Sequence, residues 1–332
     1  MTVASASKLS ISLAHSAASA AALLRCMRYE IIPLKSAGDC IRFLPPQSVV
    51  SVTCSPSSGI GATQKLCETL LTLGHTPIPH LAARCVDGPS HTAELASWVR
   101  SCRLKEVFIV GGDAPQARSY THALPFMSDF LSAKVPPSPR PPRPPLPPPL
   151  STVHHPLTLA PPCLQPHVDF VSFAAYPATH PSASTAALAH SLLSKQSLLL
   201  SHGIRGSAVT QMCFDVSAIK AWALASRSQG FTMPIILGVP GPAPIHKLLA
   251  VAARIGVGES LRFMSRGGAE VAAAIAGARA NGRYDAADII RQLSGGDLEG
   301  IHCFTFNAVE DAVDWARAMA MQADVAAGDD AR

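Results

Sequence analysis

The sequence predicts an α/β protein in which eight parallel strands close into a (β/α)8, or TIM, barrel. Three observations support this prediction. The 332 residues suffice for one large barrel. Short β-rich runs alternate with helical runs along most of the chain. The turn after the first strand, Pro33 to Ser36, lacks the glycine fingerprint of the rival fold, an open doubly wound sheet. We expect one barrel domain over residues 28–321.

The predicted elements follow one another in the order that such a barrel requires. Strands are expected at Arg28–Ile32, Val49–Thr53, Ile78–Ala82, Glu106–Val110, Val168–Ala174, Ala208–Cys213, Pro234–Gly238 and Ile301–Phe306. Helices are expected at Thr63–Leu73, His91–Cys102, Ser184–Ser201, Val216–Ser228, Pro244–Ile255, Gly268–Ala280, Ala286–Leu293 and Val309–Met321. Most strands are therefore followed by a helix, as in a closed parallel barrel.

Three segments fall outside the predicted barrel elements. Residues 1–27 are rich in Ser and Ala and contain no acidic residue, which fits an organelle transit peptide or equally a first amphipathic helix at Ala17–Met27. The protein is accordingly expected in the cytoplasm or, with a transit peptide, in mitochondria or plastids. Residues 135–163 form a Pro-rich insertion between strands four and five, where ten of the fourteen residues Pro136–Pro149 are proline. Proline fixes φ and lacks an N–H, so we expect polyproline II or disorder there. Residues 322–332 are expected to form a flexible tail.

Composition argues against several classes of function. The net charge of +5 comes from 27 basic and 22 acidic residues that form no patch, and aromatic residues make up 5% of the chain. Both observations argue against a nucleic-acid partner. No apolar run is long enough to span a membrane. The nine cysteines form no CxxC pair, so we expect reduced thiols and no metal site.

The active site of such a barrel lies at the C-terminal ends of its strands, where polar residues are the candidates. Glu30 stands in an apolar first strand, where a carboxylate is costly without a partner or a task. Burial would suit it to general-acid catalysis, although an ion pair with a neighbouring Lys or Arg explains it more simply. Thr53 ends the second strand, and the Ser- and Gly-containing loop 55–63 after it suits phosphate binding or a helix cap.

Strands three and four each end near one candidate. His80 ends the third strand, where a lone His is either a buried core residue or a catalyst. Gly111 and Gly112 precede Asp113 after the fourth strand. Paired glycines let a ligand approach the backbone closely, and a turn with an Asx hydrogen bond is the alternative explanation.

Strands five and six supply three more candidates. Tyr176 and His180 lie on a loop that two prolines constrain, Pro177 and Pro181. Gln211 is a neutral polar residue in the apolar sixth strand. Its amide can both donate and accept, as reading the edge of a heterocycle requires.

Taken in order, these motifs resemble those of the methylenetetrahydrofolate reductase family. The matching segments are Tyr29-Glu30-Ile31-Ile32-Pro33, Val52-Thr53, His80-Leu81, Gly112-Asp113-Ala114-Pro115, Ala175-Tyr176-Pro177 with His180-Pro181, Thr210-Gln211 with Phe214-Asp215, and Ile301-His302 with Thr305-Phe306-Asn307. The resemblance covers roughly residues 27–321 apart from the Pro-rich insertion. The stretch from Leu237 to Ala243 is similar to a divergent branch of the family, over its catalytic barrel.

The resemblance implies a flavoprotein with FAD as its cofactor and NADH or NADPH as its reductant. Its reaction would be the reduction of 5,10-methylenetetrahydrofolate to 5-methyltetrahydrofolate in one-carbon metabolism and methionine synthesis. Glu30 resembles the general acid, Asp113 the acid near flavin and folate, and Gln211 the amide that holds the pterin or the nicotinamide. The positions that resemble FAD contacts are Thr53, His80, Asp113, Tyr176, His180 and Lys195. Family members are commonly homo-oligomers.

Departures from the family pattern leave two other hypotheses open. Ala178 stands where the family often has an acid, and Lys195 is the basic match in the helix after strand five. A non-catalytic or repurposed relative that binds folate or flavin is therefore the alternative. An unrelated barrel enzyme, such as an aldolase or a phosphate-binding isomerase, would need a Schiff-base lysine at a strand end, and none of the predicted strands ends in Lys.

Overall fold

A closed barrel of eight parallel strands, in the order β1 to β8, forms the centre of the molecule. The computed structural model describes residues 20–133, 168–178, 180, 183–244, 248, 283–294 and 298–329. The strands are β1 (Arg28–Ile31), β2 (Val49–Val52), β3 (Thr76–Ala82), β4 (Glu106–Val110), β5 (Phe170–Ala175), β6 (Arg205–Thr210), β7 (Ile235–Pro240) and β8 (Leu298–Phe304). β8 pairs with β1 and closes the sheet, so the predicted (β/α)8 fold is confirmed.

Helices surround this sheet. They are α1 (Ala20–Arg25), α2 (Ala37–Ile41), α3 (Gly59–Thr72), α4 (Pro89–Ser101), α5 (Ala123–Ser132), α6 (Thr185–Ser201), α7 (Val216–Ser228), α8 (Ala287–Leu293) and α9 (Val309–Asp329), with a short 3-10 turn at Ala83–Cys85. The part of the chain that the structure describes contains no helix with both the length and the apolar character needed to cross a membrane. Its cysteines are all free of disulfide bonds.

The alternation of side chains along each strand separates two environments. Residues such as Ile31, Ile109 and Leu237 point outward and are fully buried in the main apolar core. Their neighbours in sequence point into the barrel, because successive side chains of a strand leave opposite faces. The interior contains an apolar cluster of Ile78, Phe108, Val209 and Ile236. It also contains polar residues, and these are the candidates for chemistry inside the barrel.

Two helices escaped the sequence prediction, and several boundaries moved. α5 was missed because Pro125 stands near its start, although proline is tolerated in the first turn of a helix. Its Phe126, Met127 and Phe130 are completely buried. α2 is a short helix of five residues. α9 continues to Asp329, so residues 322–329, which we expected in a flexible tail, are helical.

Among the strands, the largest shift concerns the sixth, which we predicted at Ala208–Cys213. The observed strand β6 begins at Arg205 and ends at Thr210. It includes Gly206, a residue type that is depleted in strands. A Cβ at Gly206 would lie 2.6 Å from the carbonyl oxygen of Val171 and 2.5 Å from Leu199, so only glycine fits between β5 and α6. Gln211 consequently follows the strand instead of lying within it.

Some predictions lie outside the described residues. They include the Pro-rich insertion at 135–163, the helix at Gly268–Ala280, nearly all of the helix at Pro244–Ile255, and residues 1–19. The described end of the N-terminal segment forms α1, which packs against α9 and buries Leu23 and Leu24. Arg25 forms an ion pair with Asp324 at this contact.

Candidate functional site

Glu30, His80 and His302 meet inside the barrel, and we call these three residues the Glu30 cluster. They come from β1, β3 and β8 respectively. Nε2 of His302 is 3.0 Å from Oε2 of Glu30, and Nε2 of His80 is 3.8 Å from the same oxygen. The side chain of His302 is 1% exposed and that of Glu30 12% exposed. A carboxylate and two imidazoles are thus held together with little access to water.

The surroundings of His80 keep its imidazole neutral. Burial lowers the pKa of His80 to about 4; the nearby Glu30 carboxylate opposes this effect, and His302 reinforces it. The Phe108 ring packs edge-on against the His80 ring at 4.4 Å between centroids. Oγ of Ser51 is hydrogen-bonded to Nε2 of His80 at 2.7 Å. At neutral pH, His80 therefore offers a lone pair or a single N–H and carries no charge.

The backbone around Glu30 is fixed by the loop after β8. The hydroxyl of Thr305 donates to the carbonyl oxygen of Glu30. Asn307 receives the N–H of Ile32 at 2.8 Å and donates to the carbonyl oxygen of Ile32 at 3.0 Å. Asn307 has a φ of 63°, a left-handed conformation that Asn tolerates better than most residues. This latch joins the ends of β1 and β8 and sets the height of Glu30 in the barrel.

A second group of predicted residues lies at the mouth of the barrel. The rings of Tyr176 and His180 meet edge-on, with 4.7 Å between centroids. Burial raises the pKa of Tyr176, and the charge of Asp113 adds to this effect. Burial lowers the pKa of His180, whereas Asp113 opposes the change. Exposed Asp113 is therefore close enough to influence both rings, and the three residues lie near one another.

The backbone before Asp113 requires glycine. Gly112 has a φ of 88°, and a Cβ at this position would lie 2.9 Å from the Cβ of Ala82. The turn thus brings the end of β4 against the end of β3 immediately before Asp113. The sequence predicted that the paired glycines let a ligand approach the backbone closely. In the structure, the close approach at Gly112 is between the ends of two strands.

Gln211 and Thr53 each present a polar group without a partner. Oε1 of Gln211 accepts the N–H of Met212 at 2.9 Å, and its amide nitrogen has no hydrogen-bond partner among the described residues. Oγ1 of Thr53 is buried and likewise unpartnered within the described chain. Buried polar groups are nearly always paired in folded proteins. Thr53 follows β2 at the mouth of the barrel. Its hydroxyl is therefore suited to a ligand that accepts or donates a hydrogen bond.

Lys195 lies behind β5, between the sheet and α6. Its ammonium is 3.5 Å from the carbonyl oxygen of Ala174 and 5.5 Å from the centre of the Phe173 ring. No carboxylate among the described residues pairs with it. Burial lowers the pKa of Lys195 to about 8. Ser191, Trp222 and Tyr176 help line the small pocket that contains it, so this lysine adjoins the mouth group through Tyr176.

The structure therefore divides the predicted site residues differently from the sequence. His80, which we assigned to the cofactor, joins the predicted acid Glu30. We assigned no role to His302 or Ser51 from the sequence. Alternation along β8 places His302 on the inward-facing side with Phe304, which was the signal that could have identified it. The simpler explanation of Glu30, an ion pair with a Lys or Arg, does not apply within the described residues, because the side chains next to its carboxylate are histidines.

No family model matches the sequence. Among solved structures, the chain is similar to an uncharacterized protein from Clostridium thermocellum that binds two copies of 5-methyl-5,6,7,8-tetrahydrofolic acid. The TM-score is 0.52 and the sequence identity 13%, over 89% of this chain and 93% of that chain. At this identity, the likeness establishes a shared barrel fold.

Proposed function

We propose that the protein binds a reduced folate at the C-terminal mouth of the barrel and reduces 5,10-methylenetetrahydrofolate to 5-methyltetrahydrofolate. NADH or NADPH would be the reductant and FAD the cofactor. The observation that carries the proposal is the buried Glu30 carboxylate, held by His302 under a mouth that contains Asp113, Tyr176, His180 and Gln211. The folate bound by the Clostridium thermocellum protein, which has the same fold, supports the choice of substrate.

The residues at the mouth fit FAD. Among the described residues, the Thr53 hydroxyl has no hydrogen-bond partner and the Lys195 ammonium has no carboxylate partner, so both suit oxygen-rich groups such as a ribityl chain or a phosphate. Tyr176 and His180 offer aromatic surface beside them. When bound, FAD would supply the hydride, since such chemistry belongs to the cofactor while the protein provides placement and a field.

Glu30 is assigned the role of general acid, which donates a proton to the substrate. Reduction of the bridging carbon requires that the five-membered ring of the substrate open first, and protonation of a ring nitrogen drives this opening. The hydrogen bond between His302 and Glu30, together with the latch after β8, keeps the carboxyl in one position, so that little reorganisation is needed. Gln211 is assigned to the pterin, whose edge both donates and accepts. Its amide nitrogen has no partner within the described part of the chain and is the group available for this contact.

An anaerobic visible spectrum tests the proposal. The purified full chain is reconstituted with FAD, and 5-methyltetrahydrofolate is then added without oxygen. Bleaching of the flavin band is expected, because the reverse reaction transfers a hydride from the methyl group to the flavin. A flavin band that NADH or NADPH bleaches and the folate leaves unchanged would indicate a flavoprotein with another acceptor.

A non-catalytic folate-binding protein is the second candidate. Ala178, where the family often has an acid, favours it, since one cofactor contact is then missing. In this case the protein stays colourless with added FAD, yet binds 5-methyltetrahydrofolate in isothermal titration calorimetry.

A further inference from the structure

We propose that the Glu30 cluster is a binding site for one divalent transition-metal ion, such as Zn²⁺ or Fe²⁺. Its ligands would be Oε2 of Glu30, Nε2 of His80 and Nε2 of His302. The cluster arises from the structure and not from sequence spacing, because its members lie on β1, β3 and β8. The proposal does not depend on flavin or folate binding.

The donor atoms have the chemistry and the spacing of a metal site. Two imidazoles and one carboxylate form a donor set that Zn²⁺ and non-haem Fe²⁺ both accept. The three donor atoms lie within 4.8 Å of one another. Metal–ligand bonds of about 2.0–2.2 Å place neighbouring donors roughly 3 Å apart. The 3.0 Å between Glu30 and His302 already meets this need, and a small rotation of His80 brings in the third donor.

The arrangement of the two histidines favours a cation over simple hydrogen bonding. A single N–H suffices to hold a carboxylate, yet two Nε2 atoms face the same oxygen of Glu30. Nε2 of His80 is also hydrogen-bonded to the hydroxyl of Ser51, and this hydroxyl would turn away when Nε2 binds a cation. A cation placed between the carboxylate and the two imidazoles would contact all three donor atoms at once. The ligand geometry is also preorganised, because β1 and β8 are paired and the latch fixes Glu30.

Metal binding would exclude the proposed acid role of Glu30, because a metal-bound carboxylate cannot deliver a proton. The two states of the cluster are therefore alternatives. The metal-bound protein should fail to open the folate ring, and the metal-free protein should be the reductase.

Cobalt titration tests the metal site directly. The full chain is freed of metal with a chelator and titrated with Co²⁺, without FAD or folate. We expect visible d–d absorption that saturates at one ion per chain and disappears when Zn²⁺ is added. Glu30→Gln and His302→Gln should each weaken Co²⁺ binding at least tenfold. His190→Gln changes an exposed histidine of α6 and should leave binding unchanged.

Three results would overturn the proposal: the absence of saturable d–d absorption, binding that both cluster variants retain, or a thiolate-to-cobalt charge-transfer band that places the ion on cysteines. Circular dichroism separates loss of the site from loss of the fold, and Glu30→Gln preserves shape if His302→Gln unfolds. Because no folate or flavin is present, failure here leaves the reductase proposal standing.

Discussion

The interior of the barrel contains two glutamates in opposite situations. Glu106 begins β4 and receives a hydrogen bond from Arg28 at 2.5 Å and another from the hydroxyl of Ser172, which is itself 2.8 Å from Ser207. Glu30 lies two residues beyond Arg28 on β1, and the side chains that contact its carboxylate are two imidazoles, those of His80 and His302. The Glu106 carboxylate is paired with a guanidinium, whereas the Glu30 carboxylate is paired with imidazoles.

This difference separates a structural carboxylate from one available for chemistry. A buried ion pair such as Arg28–Glu106 has its demands met by the protein itself. A buried carboxylate that faces imidazoles retains oxygen atoms for a proton or a metal ion. Lys195 resembles Glu30 in one respect, because no carboxylate within the described chain pairs with its ammonium, just as no Lys or Arg there pairs with Glu30. Both groups lie on the mouth side of the barrel, where function is proposed.

Replacing Glu30 should give the largest effect, a loss of turnover with little loss of stability. Glu30→Gln should lower folate-dependent turnover by about 100- to 10,000-fold, the usual contribution of a general acid. Its unfolding free energy should change by less than about 1 kcal/mol, since an isosteric amide still accepts from His302. Turnover assays and urea unfolding on the same preparations measure both quantities. Glu94→Gln, on the exposed side of α4, is the matched control. Unchanged turnover in Glu30→Gln would remove the acid role.

Breaking the other pair should affect stability instead. Arg28→Met leaves Glu106 buried without its cation, which should cost about 3–5 kcal/mol of unfolding free energy. Lys105→Met disrupts the exposed Lys105–Asp169 pair, 3.3 Å apart, and should cost less than about 1 kcal/mol. Urea denaturation curves compare the two variants. Equal losses would mean that the interior pair contributes no more than a surface one.

Removing the uncompensated cation should stabilise the protein. Burial lowers the pKa of Lys195 from 10.5 to about 8, so the unfolded chain binds more protons between these values. Stability of the native protein should therefore rise as pH increases from 8 to 10.5, and below pH 8 the full cost remains. Lys195→Met should gain up to about 3 kcal/mol at pH 7 and lose this advantage near pH 10.5.

The same variant, Lys195→Met, also tests whether Lys195 contributes to FAD binding. If Lys195 contributes to FAD binding, the stabilised Lys195→Met protein should bind FAD at least tenfold more weakly, as measured by fluorescence quenching. The opposite pattern, lower stability with full FAD affinity, would make Lys195 a structural residue.

The smallest effect concerns the latch. Asn307→Gly removes the two hydrogen bonds to Ile32 but keeps a residue that adopts a φ of 63° without strain. The variant should lose roughly 1–2 kcal/mol of unfolding free energy. Asn307→Ala should lose more, because it adds the backbone strain. If the two variants were equally stable, the left-handed conformation would carry no cost here.

The sequence was a good guide to the architecture and a partial one to the site. Strand order and the barrel followed from periodicity, because each strand buries an outward row of aliphatic residues. The boundaries of β6 were misplaced at Gly206 and α5 was missed at Pro125, since local propensity disfavours both residues at positions that tertiary packing accepts.

The Glu30 cluster could not be predicted as a unit. Its residues are far apart in sequence, and their meeting depends on the register of β1 with β8 and on the closure of the barrel. Periodicity does place Glu30, His80 and His302 on inward faces. It does not specify which inward side chains share one height, and so His302 received no separate role.

Single-turnover kinetics of the two half-reactions in Glu30→Gln test the central claim most directly. In the protein loaded with FAD, NADH or NADPH should reduce the flavin at the rate of the unsubstituted protein, because this step needs no proton from Glu30. Reoxidation of the reduced flavin by 5,10-methylenetetrahydrofolate should be slowed by about 100-fold or more. Reoxidation at the normal rate would contradict the account and leave Glu30 without a part in the reaction.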